Sequence, residues 1–253
     1  MKKKVNRGKV YLIGAGPGDP GLLTVKGADI LSRADVVIYD RLIHRKLLDG
    51  CKEGCEKIFV GKQDRRHPVP QKQINELLVE KASKAGVLAR LKGGDPFIFG
   101  RGGEEAEFLA ENGIEFEVVP GVTSASAVPA YAGIPLTHRD FASSVGIVTG
   151  HRCVGKTDCI QNWGRIAGAF DTLVVLMGVR NMPNIVKSLL ESGVPLDTPA
   201  AVIEWGTTEK QKMAKGILSN IVSLASGAGI QPPAVFIIGR VVGLSEKIDW
   251  FKP

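Results

Sequence analysis

A glycine-rich segment between residues 92 and 105 carries side chains suited to binding a small molecule. It reads Lys-Gly-Gly-Asp-Pro-Phe-Ile-Phe-Gly-Arg-Gly-Gly-Glu-Glu and follows the apolar run Val87–Leu91, which predicts a buried strand. Gly93 and Gly94 allow a ligand to approach the backbone closely at the end of that strand, where α/β sheets place their sites. Asp95 can accept hydrogen bonds from a ligand hydroxyl or amino group. The structural alternative is a tight turn that Asp95 caps.

An earlier glycine-rich segment, 14–21, reads Gly-Ala-Gly-Pro-Gly-Asp-Pro-Gly and follows the predicted strand Lys9–Ile13. Asp40 ends the next predicted strand, near the place where a dinucleotide-binding fold holds its ribose-binding carboxylate. However, the spacing is G-x-G-x-G rather than G-x-G-x-x-G. Pro17 and Pro20 also remove backbone N–H donors that a pyrophosphate would need. The segment therefore argues against a dinucleotide site.

Apolar strands that alternate with segments of helical spacing must position these loops. The alternation predicts βα units, and so an α/β fold with mixed, mostly parallel sheets. A break at residues 133–137 separates two sets of elements, so we predict two α/β domains, 1–138 and 139–253. The predicted strands are 9–13, 35–39, 57–60, 87–91, 116–119, 145–149, 172–177, 200–204 and 234–238, with a further strand at 210–215. The predicted helices are 25–33, 71–84, 104–112, 123–131, 184–191 and 219–225.

Composition and charge limit the function classes. The chain has 253 residues, of which 44% are hydrophobic, so it can bury a substantial core. Its apolar runs are far shorter than the about 20 residues that span a bilayer, and no apolar segment follows the N-terminal lysines. We therefore expect a cytoplasmic protein with no membrane partner. The net charge of +7 suits an anionic partner, but the scattered basic residues argue against nucleic acid.

Metal binding is not expected either. The cysteines are spaced C-x3-C and C-x5-C, unlike the C-x2-C of zinc ribbons. The four histidines form no i, i+4 pair and no H-E-x-x-H motif. We therefore interpret the cysteines as free thiols.

Eight segments together resemble one known family. They include Tyr-Asp-Arg-Leu at 39–42 and the whole 92–105 segment. The chain resembles the uroporphyrinogen-III C-methyltransferases of the tetrapyrrole methylase superfamily from about residue 8 to 252. The matching segments are 10–24, 39–42, 59–62, 92–105, 118–124, 133–139, 148–151 and 235–242.

The resemblance implies a fold, a cofactor and an assembly. The family has two α/β domains with the active site in the interdomain cleft, and its members are usually homodimers. It binds S-adenosylmethionine as methyl donor, in a folded conformation, releases S-adenosylhomocysteine and uses no metal. By position, the implied cofactor-binding residues are Pro17, Gly93, Gly94, Asp95, Ile98, Thr123, Ser124, Met177, Gly206, Pro233 and Ala234.

The implied reaction is C-methylation of uroporphyrinogen III at C2 and C7 to give precorrin-2, on the route to siroheme and cobalamin. The family position of the general base matches Asp40, and that of the proton donor matches Lys62. The structural alternatives are an Asp40 carboxylate that pairs with Arg41 or caps a helix, and a solvated Lys62. We expect methylation alone, because the chain shows no dehydrogenase–ferrochelatase segment.

The substrate's eight carboxylates call for arginines, whose forked guanidinium binds carboxylates bidentately. Arg41, Arg101 and Arg139 each lie beside a matching segment. Trp205 departs from the family, which usually has Asn there, and residues 152–165 match poorly. Other interpretations are a methylase of a later precorrin, a methylase of RNA or a protein residue, and a non-enzymatic cofactor-binding protein.

Overall fold

The computed structural model describes residues 8–61, 69–150 and 163–253. The chain forms two compact units, Met1–Thr123 and Ser124–Pro253. Each unit has one five-stranded sheet, so the predicted α/β fold class is confirmed. No helix in the described ranges is long and apolar enough to cross a membrane.

The first unit is an all-parallel sheet with strand order β3-β2-β4-β1-β5. Its strands are β1 Lys9–Gly14, β2 Val36–Tyr39, β3 Glu56–Phe59, β4 Val87–Lys92 and β5 Phe116–Val119. Its helices are α1 Val25–Arg33, α2 Gln71–Ala82 and α3 Gly102–Glu111. The apolar strand residues are buried on both faces of the sheet, as parallel strands covered by helices require.

The second unit has a mixed sheet with order β6-β7-β10-β8-β9. Only β6 and β7 pair in parallel, and the other three pairings are antiparallel. Its strands are β6 Val145–Thr149, β7 Thr172–Leu176, β8 Pro199–Glu204, β9 Lys212–Ile217 and β10 Ala234–Ile238. Its helices are α4 Ser124–Tyr131, α5 Trp163–Ala169, α6 Met182–Glu191 and α7 Ile221–Gly227.

The division between the units lies earlier in the chain than the predicted boundary at 138/139. Helix α4 packs against β7 and β10 of the second sheet. Ala125 and Val128 of this helix share a buried cluster with Val174 and Ile237. The connecting helix, which the prediction placed in the first domain, therefore belongs to the second unit.

Candidate active site

Three loops of the first unit meet at the carboxyl edge of its sheet. They follow β4, β1 and β5, which are adjacent strands. The Ala15 N–H donates to the Lys92 carbonyl at 2.8 Å, and the Gly94 N–H donates to the Gly16 carbonyl at 2.8 Å. The two glycine-rich segments predicted to bind a ligand are therefore bonded to each other through their backbones.

Glycines allow this close approach. A Cβ atom on Gly14 would lie 2.5 Å from the Cα of Gly121 and 2.7 Å from the carbonyl oxygen of Gly94. All of these are backbone atoms, so no side-chain rotation would relieve the contact. The sequence analysis missed Gly121 as an individual residue, although it lies in the matching segment 118–124.

We expect Gly14→Ala to lower the free energy of unfolding by about 1–3 kcal/mol, because the methyl group overpacks a contact between backbones. Thermal unfolding followed by circular dichroism measures this. Gly50→Ala is the control, because nothing lies within 4 Å of a Cβ atom at Gly50. Equal effects of the two substitutions would show that the loops separate easily.

Asp95 holds the loop after β4 in shape. Its Oδ1 accepts from the Phe97 N–H at 2.8 Å and from the Ile98 N–H at 3.1 Å. Its Oδ2 accepts from the Gly121 N–H at 2.9 Å, which joins the loops after β4 and β5. Asp95 therefore caps the turn, as the structural alternative in the sequence analysis described. A carboxylate oxygen can accept more than one bond, so Oδ2 keeps capacity for a ligand donor.

Asp40 follows β2 at the same edge of the sheet, with 28% of its side chain exposed. Its Oδ1 accepts from the Leu42 N–H at 3.0 Å, and its Oδ2 lies 3.9 Å from the Arg90 guanidinium. Asp40 thus faces Arg90 rather than Arg41, the partner that the structural alternative named. Lys62, the predicted proton donor, lies outside the described residues.

Behind Asp40, two buried cations share one carboxylate. Glu105 is fully buried, and Arg90 and Lys92 are each 3% exposed. Glu105 Oε1 lies 3.2 Å from Arg90 Nε and 2.9 Å from Lys92 Nζ. Burial and then the Arg90 charge lower the pKa of the Lys92 ammonium, against the opposing effect of Glu105.

The sequence analysis did not identify this cluster. The sequence feature that could have revealed it is the pair of basic residues, Arg90 and Lys92, in an otherwise apolar strand. Because they stand at alternate positions, their side chains point to the same face of the sheet. Arg90 and Lys92 are formally positive and Glu105 is formally negative, so the three side chains carry one excess positive charge. Asp40 lies on the Arg90 side of this cluster. The cluster therefore gives Asp40 a fixed cationic neighbour.

The three predicted substrate arginines differ in their surroundings. Arg41 and Arg139 are exposed. Arg101, the residue before α3, donates two hydrogen bonds to the Glu104 carboxylate, at 2.8 and 2.7 Å. The Arg101 guanidinium also lowers the pKa of the Glu104 carboxyl, chiefly through this hydrogen bonding. A substrate carboxylate at Arg101 would share the guanidinium with Glu104.

In the second unit, four predicted cofactor-binding residues lie at one edge of the mixed sheet. Met177 follows β7, and Gly206 lies just beyond the end of β8. Pro233 and Ala234 lie at the start of β10, which runs antiparallel to both of those strands. The Trp205 N–H donates to the Pro233 carbonyl at 3.0 Å, which ties the loop after β8 to the start of β10.

The other predicted cofactor-binding residues lie in loops of the first unit or at the junction between the units along the chain. Pro17 lies in the loop after β1, and Ile98, 41% exposed, lies in the loop after β4. Ser124 begins α4, and Thr123 precedes it. Most of the predicted residues thus lie in loops at the carboxyl edge of the first sheet or at the β7–β8 end of the second, while Ser124 lies at the start of α4.

Backbone strain is concentrated in the same loops. Among the described residues, the non-glycine positions with positive φ follow β4, β7 or β8. They are Phe99, Arg101, Met177, Trp205 and Thr207, with φ of 53°, 59°, 56°, 47° and 70°. Such conformations cost on the order of 1–3 kcal/mol each and cluster at ligand sites. The strain therefore marks these loops independently of any motif.

The family model of the tetrapyrrole (corrin/porphyrin) methylases matches residues 9–222, which include the loops after β1, β4, β5, β7 and β8. The chain belongs to this methylase family. Within the described residues, no three His, Cys, Asp or Glu side chains form a group that could hold a metal ion.

Individual relatives of this methylase are similar over nearly its whole length. The uroporphyrinogen-III C-methyltransferase of Bacillus subtilis is 48% identical, over 97% of this chain and 95% of the relative. The siroheme synthase of Thiobacillus denitrificans is 48% identical over 98% of this chain, and the chain spans only 51% of that relative's length. The crystal structure of a uroporphyrin-III C-methyl transferase from Thermus thermophilus, complexed with S-adenyl homocysteine, matches with a TM-score of 0.78 and 41% identity, covering 93% of both chains.

Proposed function

We propose that this protein is an S-adenosylmethionine-dependent methyltransferase that methylates uroporphyrinogen III at C2 and C7 to give precorrin-2. The observation that carries the proposal is the 48% identity to the Bacillus subtilis enzyme over 95% of that enzyme's length. The converging glycine loops and the partly exposed Asp40 at the same sheet edge support it.

The loops offer the surfaces that the methyl donor needs. S-adenosylmethionine supplies an electrophilic methyl group, and the pyrrole β-carbon of a porphyrinogen is an electron-rich nucleophile. The protein therefore has to hold the two in line, which contributes on the order of 7–11 kcal/mol. In the first unit, Gly93 and Gly94 allow close backbone approach and the apolar side chain of Ile98 is 41% exposed. In the second unit, Met177 offers a separate apolar surface that is 53% exposed.

After methylation a proton must leave the macrocycle, and Asp40 is the proposed general base. The Leu42 N–H donates to its Oδ1 and the Arg90 guanidinium lies near its Oδ2, while 28% of the side chain stays exposed. Lys62 as proton donor stays a prediction, as does the location of the site in a cleft between the domains.

The substrate is a large flat ring with many carboxylates, and the first unit has both apolar and cationic groups for it. Phe97 and Phe99 are 56% and 44% exposed in the loop after β4 and can contact the ring face. We propose that Arg41 and Arg101 of this unit bind ring carboxylates, and we propose the same role for Arg139 of the second unit, which fits the net charge of +7.

Incubation of the pure protein with S-adenosylmethionine and uroporphyrinogen III without oxygen should add two methyl groups, measured by mass spectrometry of the tetrapyrrole. A parallel incubation with later precorrins is the comparison. If only a later precorrin gains a methyl group, the protein is a sister methylase, and no gain with any tetrapyrrole would refute the proposal.

We also propose that the protein is a cytoplasmic homodimer. Light scattering on the purified protein measures its mass and so tests the dimer.

A further inference from the structure

Cys51 and Cys55 form a pair of thiols to which the proposed function assigns no role. Both are free and half-buried in the connection between β2 and β3. Strand β3 begins at Glu56, so Cys55 lies at the amino edge of the parallel sheet, opposite the edge that carries Asp40. The pair is therefore separate from the candidate active site.

A tight turn joins the two cysteines. The Cys55 N–H donates to the Lys52 carbonyl at 3.2 Å, which closes a β-turn, and Gly54 has the positive φ, 76°, that a glycine supplies at the third position of such a turn. The Lys52 ammonium pairs with Asp35, whose carboxylate also accepts from two backbone N–H groups around the start of β4. The turn is thus anchored to the sheet, and it returns the chain from Cys51 to Cys55.

The two sulfur atoms lie within hydrogen-bonding reach of each other on this turn. The Cys51 thiol donates to the Cys55 sulfur. Both side chains pack on the apolar cluster that contains Ile43 and Leu48, and each keeps part of its surface exposed, so a small oxidant can reach them. Cysteines whose side chains point apart cannot be bridged without backbone movement. These two side chains already point toward each other.

The surroundings give the two thiols different roles. Burial, and then the neighbouring Cys55, raise the pKa of Cys51 to about 11, so Cys51 stays protonated near neutral pH and serves as the donor. Burial also raises the pKa of Cys55, whereas the hydrogen bond from Cys51 and the charges of Lys57 and Lys52 lower it. Cys55 is therefore the sulfur whose thiolate is stabilised, and a thiolate is the attacking species in disulfide exchange.

A metal ion is the competing explanation for two neighbouring thiols. Structural zinc takes four ligands, chiefly cysteine and histidine. Within residues 8–61, 69–150 and 163–253, no third histidine, cysteine or carboxylate joins the pair in a group that could hold a metal ion. Redox exchange needs the two sulfur atoms alone.

We propose that Cys51 and Cys55 form a redox site, in which a low-molecular-weight disulfide such as oxidised glutathione reversibly converts the dithiol into an intramolecular disulfide. The Cys55 thiolate attacks one sulfur of the oxidant, forms a mixed disulfide and releases one glutathione thiolate. Cys51 then gives up its proton and attacks the Cys55 sulfur, which releases the second glutathione. The protein loses two electrons and two protons, and the oxidant gains them as two thiols. This site goes beyond the proposed function and does not depend on it.

Equilibration of the whole protein in glutathione buffers of increasing oxidised content tests the site. Acid stops the exchange, alkylation blocks the remaining free thiols, and mass spectrometry identifies the tryptic peptides. The oxidised protein should give peptide 47–52 joined by a disulfide to peptide 53–57, and excess reduced glutathione should separate the two.

Cys51→Ser is the matched control, because its hydroxyl can still donate to Cys55 but cannot displace glutathione. This variant should keep glutathione bound to Cys55. In millimolar reduced glutathione, half-formation of the wild-type disulfide should need at least about tenfold less oxidised glutathione than half-formation of this mixed disulfide, because the second step is intramolecular.

The same titration of the wild-type protein in urea separates a folded site from mere closeness in sequence. Unfolding releases the turn, so the joined peptides should require several times more oxidised glutathione. An equal requirement in urea would show that the fold does not build the site and would overturn the proposal. Glutathione on Cys51 or Cys55 without the joined peptides, or cross-links of either residue to Cys153 or Cys159, would overturn it as well. These measurements use the wild-type chain, so they decide the matter even if Cys51→Ser fails to fold.

Discussion

Asp40→Asn should lower turnover of uroporphyrinogen III about 100-fold or more, with little change in affinity for S-adenosylhomocysteine. General-base catalysis contributes typically about 10²–10⁴-fold, and an amide cannot take up the proton. Asparagine has the same shape, and its side-chain oxygen can still accept from the Leu42 N–H as Asp40 does at 3.0 Å. The loop should therefore keep its conformation. Single-turnover kinetics and calorimetry measure the two quantities separately.

Asp49→Asn is the matched control for this experiment. Asp49 is an exposed carboxylate on the same connection between β2 and β3, so its loss makes the same change in net charge. Its turnover should equal that of the wild-type protein. If Asp40→Asn also turned over at the wild-type rate, another group would have to remove the proton and Asp40 would have no part in the chemistry.

Apolar strands were the elements that the sequence predicted best. The predicted bounds of β5, β6 and β10 are the observed ones, and β1 is longer by Gly14 alone. Each of these strands is a short, mostly apolar run bounded by turn residues, even where it lies at a sheet edge as β5 and β6 do. A local pattern is enough to find such elements.

Elements whose identity depends on tertiary contacts were harder to predict. Helix α5, Trp163–Ala169, follows a segment that resembles the family poorly, and no helix was predicted there. Helix α4 was predicted almost to its residue bounds, but it was assigned to the first domain. Nothing in eight residues of sequence states which sheet a connecting helix packs against, since that depends on apolar partners far along the chain.

Motifs identified the loops of the candidate site but not all of the work that their residues do. Asp95 was predicted to meet a ligand, whereas its described bonds are to three backbone N–H groups of the first unit. Gly121 lies in the matching segment 118–124, but the segment does not state what Gly121 does. Its importance comes from a close backbone contact with Gly14, which is visible only in three dimensions.

Glu105→Ala should lower the free energy of unfolding by about 3–5 kcal/mol, the typical cost of leaving buried charges without their partner. Glu105 is fully buried and contacts both Arg90 and Lys92. Among the described residues, its loss would leave Lys92 without a carboxylate partner and Arg90 with Asp40 alone, at 3.9 Å. Glu104→Ala is the control from the adjacent residue. Glu104 and Arg101 are more than half exposed in their ion pair, so its loss should cost at most about 1 kcal/mol. Urea denaturation of both variants measures the difference.

The same substitution separates a purely structural cluster from one that also positions the base. Without Glu105, Arg90 loses the contact at 3.2 Å that holds its Nε, while its other nitrogen lies 3.9 Å from Asp40. We therefore expect Glu105→Ala to lower turnover even at temperatures where the protein is fully folded. Glu105→Gln should restore part of that turnover, because its side-chain oxygen can still accept from Arg90. Equal stability of the Glu104 and Glu105 variants would mean that solvent reaches the cluster and compensates its cations.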